Sequence, residues 1–187
     1  MADPLTRLRR RPLLTPLLIP LLAVIAAGTG VFWLGTWART TVVILVRHAE
    51  AAVSTTGDPD LSPAGERRAA LLGETVADLL GGEKVDYLFA ADTRRAQQTA
   101  AAVANQFGLP VNLIAGSDWD GLATRVKREH RGETVLVVGY ATTIPAVVNQ
   151  LSATSVTLGE DEFDSIFVVV MPSPGRTRVL RLRYGAR

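Results

Sequence analysis

Arg47 and His48 close a run of β-branched and aliphatic residues, Thr41-Val42-Val43-Ile44-Leu45-Val46, and Ala49-Glu50 follow. An imidazole can act as a nucleophile or proton carrier near neutral pH, and an adjacent guanidinium is suited to holding a phosphate. A second segment, Asp92-Thr93-Arg94-Arg95-Ala96-Gln97-Gln98-Thr99-Ala100, comes after the apolar Tyr87–Ala90. A third, Gly139-Tyr140-Ala141-Thr142-Thr143-Ile144-Pro145, comes after the apolar Thr134–Val138. An Arg-His pair by itself is usually structural. Its meaning here depends on whether the three segments meet. Cysteine is absent, which excludes a thiolate nucleophile, a disulfide and a Cys-ligated zinc.

The elements that must bring them together alternate. The strand Thr41–Val46 is followed by a loop, Ser54–Asp60, and then by a helix with Ser62 as N-cap and Pro63 at its first position. That helix runs to Leu80 and stops at Gly81-Gly82. The strand Tyr87–Ala90 precedes a helix over Thr93–Phe107, closed by Gly108 and Pro110. Val111–Ile114 reads as a strand, Leu122–His130 as a helix, Thr134–Val138 as a strand and Thr143–Leu151 as a helix. Two last β runs, Ser165–Met171 and Arg176–Tyr184, flank Pro172-Ser173-Pro174-Gly175, whose turn chemistry makes a hairpin. The expected fold is α/β: a mostly parallel sheet with helices on both faces and a C-terminal β hairpin at an edge. In such a sheet all three segments leave at the carboxyl edge, where helix N-termini add amides suited to an anion.

Together these segments resemble the histidine phosphatase (phosphoglycerate mutase-like) superfamily. Arg47-His48-Ala49 is similar to its Arg-His-Gly/Ala signature. Arg95-Ala96-Gln97-Gln98-Thr99-Ala100 falls in register with Arg-Ala-x-Gln-Thr-Ala. Val135–Pro145 is similar to Val-Leu-Val-Val-Gly-His-Ser-Asn-Thr-Ile-Pro, and Asp60-Leu61-Ser62-Pro63-Ala64-Gly65 to the start of the family's first helix. The likeness covers residues 41–184, and the short spans between strands match the compact branch. It implies a phosphomonoesterase in which His48 becomes transiently phosphorylated while Arg47 and Arg95 clamp the phosphoryl oxygens. It implies no metal and no cofactor, with a phosphorylated small molecule or phosphoprotein as partner.

One departure matters. Tyr140 stands where the family has its second histidine, and Ala141-Thr142 replace Ser-Asn. Tyrosine is a neutral donor, so turnover is expected to be weak, or absent in a phosphate-binding pseudoenzyme or scaffold of the same fold. The other histidine, His130, precedes the Gly132-Glu133 turn and should lie at the opposite end of the sheet. Asp118 is the preferred leaving-group acid. Glu50 is the alternative, or an anchor for its loop. Arg94 reads as a solvated helix-start residue or a partner of Asp92, and Glu160-Asp161-Glu162 as a solvated loop at the site mouth.

Hydrophobic residues make up 48% of the 187, and Leu13–Trp37 carries no charge. A run of that length suffices to span a membrane, which needs roughly 20 residues. With Arg7, Arg9, Arg10 and Arg11 before it, the expected organisation is a basic cytoplasmic N-terminus (1–12), a transmembrane anchor (13–37) and an extracytoplasmic domain (41–187). A cleaved signal peptide is the competing reading. Residues 1–40 hold five of the twenty Lys/Arg and one of the eighteen Asp/Glu, which leaves a formal −2 on residues 41–187. The basic balance therefore belongs to the N-terminal flank, and no nucleic-acid partner is expected.

Overall fold

The computed structural model describes residues 15–37, 39–55, 57–116 and 118–185. The chain divides into two units, residues 1–38 and 39–187. In the first, α1 runs Thr15–Trp37 with Pro20 inside it. This helix corrects the expected membrane anchor: among the described residues, no helix is long and apolar enough to cross a membrane. Within α1 the Thr29 hydroxyl donates back to the carbonyls of Ile25 (2.8 Å) and Ala26 (3.0 Å). The single-pass topology, the membrane partnership through residues 13–37 and the extracytoplasmic location rested on the anchor and fall with it. Arg7, Arg9, Arg10 and Arg11 lie outside the described residues.

The second unit contains β1 (Arg39–Arg47), α2 (Pro63–Leu80), β2 (Tyr87–Ala91), α3 (Arg94–Phe107), β3 (Asn112–Ile114), α4 (Trp119–Glu129), β4 (Thr134–Gly139), α5 (Thr143–Ser152), β5 (Ser165–Ser173) and β6 (Arg178–Arg183). Its strands form one six-stranded sheet in the order β3-β2-β4-β1-β5-β6. β3, β2, β4 and β1 are parallel, β5 is antiparallel to β1, and β6 is antiparallel to β5. The sheet is thus mixed, four parallel strands with the antiparallel β5–β6 hairpin at one edge as expected. The reason lies in residues 153–164, which carry the chain from the end of α5 back to the carboxyl edge of β1. β5 then descends beside β1, pairing from Val46↔Ile166 to Arg39↔Ser173.

Val43 to Val46 and Val135 to Val138 are fully buried, as continuous apolar runs must be when both sheet faces are covered. The crossovers move one way from β1 to β3 and the other way afterwards. Right-handed connections therefore put α2 and α3 on one face and α4 and α5 on the other. The packing divides likewise, α2 against α3 and α4 against α5. The reversal leaves a crevice between the carboxyl ends of β1 and β4, the place where open α/β sheets bind ligands.

Helix α2 begins as its residue types require. The Ser62 hydroxyl accepts from the Gly65 amide at 3.1 Å, Pro63 occupies the first turn, and Gly81 closes the helix in the left-handed region at φ 58°. Gly65 also fixes a tertiary contact. A Cβ there would lie 2.1 Å from the Glu50 carbonyl oxygen, so glycine lets α2 press directly on the loop behind His48.

Candidate active site

β1 and β4 end together: Arg47 is level with Gly139, and the His48 amide donates to the Gly139 carbonyl at 3.0 Å. This register puts His48 in the crevice, 7% exposed. Its Nδ1 lies 2.8 Å from the Ala49 carbonyl, which can only accept, so Nδ1 carries the proton. Nε2 accepts from Arg95 Nε at 3.2 Å, so its lone pair faces the Arg95 guanidinium. Burial lowers the imidazole from 6.5 to about 4. The Ala49 carbonyl opposes that shift, Arg95 and Arg47 add to it, and Glu50 opposes it. His48 is neutral near pH 7, the state a nucleophile needs.

Arg95 is placed by the first turn of α3. The Thr99 hydroxyl donates to the Arg95 carbonyl (2.7 Å) and accepts from the Ala49 amide (3.0 Å), tying the helix to the loop that follows His48. Arg95 Nη1 is 3.7 Å from Asp58 Oδ1. Both Asp58 oxygens also accept from the Arg94 amide, at 3.1 and 3.0 Å. Arg94 pairs with Asp60 at 2.8 Å rather than with Asp92. Gln98 completes the tie to the start of α2, accepting from the Leu61 amide and donating to Asp60, both at 2.7 Å.

Arg47 is held from the other side. Its Nη1 donates to the carbonyls of Gly159 (3.1 Å) and Glu160, its Cζ lies 4.0 Å from the Phe163 ring centre, and its Nε is buried with no partner. Burial lowers its pKa, with Asp161 and then Glu160 opposing. The 153–164 connection is therefore more than a solvated loop. Glu160 and Asp161 are exposed, but Glu162 pairs with Arg181 and Arg183 and accepts from the Ser165 hydroxyl at 2.8 Å. Burial works against the Glu162 carboxylate. The Ser165 hydroxyl, the Gly159 amide and Arg181 outweigh it and hold the group at about 2. A groove of about 520 Å³ beside the site is lined by this loop, Glu50, Arg68 and Arg183.

The Tyr140 ring meets the His48 ring edge-on, with centroids 5.9 Å apart, and lies 5.7 Å from the Arg95 guanidinium. Its hydroxyl donates to the Thr93 hydroxyl at 3.2 Å, and its amide to the Thr143 hydroxyl at 2.9 Å. Trp119 packs against it at 6.2 Å. Gly139 admits that indole, since a Cβ there would sit 2.8 Å from the ring. Arg47, His48, Arg95 and Tyr140 are thus gathered in one crevice.

Asp118 stands just before α4, exposed, on a groove with Thr124, Arg125 and Arg128. Glu50 accepts from Arg68 Nε at 2.8 and 2.9 Å and so anchors its loop. His130 sits at the far end of the sheet, buried against Tyr87 and Phe89 and 2.8 Å from Glu133. Among the described residues, no group of His, Cys, Asp or Glu is gathered closely enough to hold a metal ion. The positive field at His48 comes from the two arginines. Three contributors were not singled out from sequence: Asp58, Thr99 and Phe163. Thr99 was legible as part of the Arg-Ala-x-Gln-Thr-Ala run. Asp58 and Phe163 lie in loops whose spacing carries no comparable signal.

Residues 43–117 match the family profile described as histidine phosphatase superfamily (branch 1). Among solved structures, the protein histidine phosphatase SixA complexed with tungstate is similar, at 17% identity and TM-score 0.60, covering 76% of this chain and 96% of its own. A Nakamurella multipartitia protein named as a SixA phosphohistidine phosphatase is 22% identical with TM-score 0.55, covering 80% and 99%. A mycobacterial glucosyl-3-phosphoglycerate phosphatase is 17% identical with TM-score 0.59, covering 79% and 100%. No curated protein matches the chain. The unit from Arg39 onward has the histidine phosphatase fold, with the superfamily's branch 1 pattern across residues 43–117.

Proposed function

We propose that this chain is a phosphomonoesterase of the histidine phosphatase type that works through a phosphohistidine on His48, at a reduced rate. The observation that carries the reading is the state of His48: buried, neutral, its Nδ1 proton directed to the Ala49 carbonyl and its Nε2 lone pair beside Arg95. In the proposed cycle, Nε2 attacks phosphorus as the bond to the leaving oxygen breaks, and that oxygen takes a proton from an acid for which Asp118 is the candidate. Water then attacks the phosphorus of phosphohistidine, releasing phosphate and restoring the imidazole. Arg47 and Arg95 would bind the non-bridging oxygens, so the protein's work is positioning and electrostatic stabilisation.

The substrate class is a small phosphomonoester or a phosphoprotein. The SixA and glucosyl-3-phosphoglycerate phosphatase names among the similar structures support both. Tyr140 supports the reduced rate. Its hydroxyl is committed to Thr93, and its phenol lacks the charge of an imidazolium. Loss of one preorganised donor costs about 10²–10³ in rate.

The same residue favours a second reading, a phosphate-binding pseudoenzyme or scaffold. Hydrolysis of an aryl phosphate by the purified full chain separates the two. Activity abolished by His48→Ala is the expected result. Activity indifferent to that change would discard the phosphohistidine mechanism, and a silent protein that still binds phosphate would favour the scaffold.

A further inference from the structure

Arg95 serves two partners at once. Its Nε–H covers the Nε2 lone pair of His48 at 3.2 Å, and its Nη1 reaches Asp58 at 3.7 Å. Asp58 does something else as well. The N-cap residue of α3, Thr93, makes no side-chain cap bond, and its hydroxyl instead receives the Tyr140 proton. The carboxylate of Asp58, some thirty-five residues earlier in the chain, supplies the cap from outside through the Arg94 amide. A helix N-terminus with an arginine beside it is the arrangement that binds a phosphoryl group.

We propose that Asp58 is a built-in competitor for the phosphoryl group, an internal anion that holds Arg95 and the α3 amide until an incoming phosphate displaces it. The inference rests on the phosphate-pocket reading above. In the resting molecule Arg95 lies between Asp58 and His48, and the nucleophile is covered by the guanidinium that should later hold the substrate. Entry of a phosphoryl group exchanges partners: Arg95 leaves Nε2 for a phosphoryl oxygen, and Asp58 gives up the arginine. Charge favours the exchange, because a phosphoryl dianion gains more from a guanidinium and a helix N-terminus than a carboxylate monoanion does. Asp58 thereby sets a threshold that weakly charged or monoanionic ligands do not pass.

The test is calorimetric titration of the full chain with inorganic phosphate and with tungstate, for wild type, Asp58→Asn and Asp58→Ala. With the competing charge removed, both anions are expected to bind about three- to tenfold more tightly, the range set by half-exposed ion pairs and helix-terminal charges. Thermal stability should move the other way, because α3 loses its cap. Opposite signs distinguish a competitor from a residue that merely builds the site. Affinity unchanged or weakened in both variants would overturn the proposal and make Asp58 a support for Arg95. Binding absent in all three proteins, or undiminished by Arg95→Ala, would instead take down the phosphate pocket itself and the competitor with it.

Discussion

The protonation of His48 can be measured directly, because the chain has only two histidines. Burial takes the ring from 6.5 to about 4, with Arg95 and Arg47 adding to the effect against the Ala49 carbonyl. That displacement corresponds to about 3 kcal/mol against charging the ring, at 1.36 kcal/mol per decade. At pH 6 a ring titrating at about 4 is about 99% neutral, whereas an ordinary one is about one quarter neutral. The sign for stability follows by linkage. Between pH 6.5 and about 4 the unfolded chain binds the proton and the folded chain does not, so stability is lost as pH falls through that window. The assay is an NMR titration of imidazole resonances in the full chain, with His130 as internal comparison and His48→Gln for assignment. Urea denaturation of both proteins at pH 7 and pH 4 should show the wild type losing about 3 kcal/mol more than His48→Gln across that interval. A His48 midpoint between 6 and 7, or identical pH slopes for the two proteins, would refute the reasoning.

Tyr140→His replaces a committed phenol with a group that can donate and carry charge next to His48 and Arg95. A gain of about 10² in kcat/KM on an aryl phosphate is expected, and no gain would mean that Tyr140 does not limit the rate. Gly65→Ala puts a methyl 2.1 Å from the Glu50 carbonyl oxygen, backbone that cannot step aside without moving the loop behind His48. Denaturant unfolding should show a loss of about 2–3 kcal/mol together with reduced anion binding; a change within the ordinary surface range of about 0.5 kcal/mol would contradict the contact.

Much of this arrangement was legible in the sequence because each signal was local. Val43–Val46 and Val135–Val138 are apolar at every position, which marks strands covered on both faces, and Arg47 and Gly139 end them in register. Ser62, Pro63 and Gly81 name the ends of α2 without tertiary help. The distant position of His130 followed from its place ahead of β4, and it is found packed on Tyr87 and Phe89. What did not follow depends on the path of loops. No pattern in residues 153–164 tells that the chain climbs back to lay Phe163 on Arg47, and the extent of antiparallel pairing on β1 comes from that climb. Asp58 belongs to the same class, since its partner amide lies in a helix that periodicity cannot place beside it. The N-terminal run misled for another reason: freedom from charge over Leu13–Trp37 is a statement about composition, and no described helix is long and apolar enough to cross a membrane.

The claim on which the rest depends is that His48 Nε2 takes the phosphoryl group. The full chain, mixed with a labelled aryl phosphomonoester and quenched in base to preserve phosphohistidine, can be digested and mapped by mass spectrometry. The expected result is label on the peptide carrying His48, lost on brief acid treatment and absent in His48→Ala, with none on His130. Steady hydrolysis with no label on His48, or label that survives its replacement, would contradict the account.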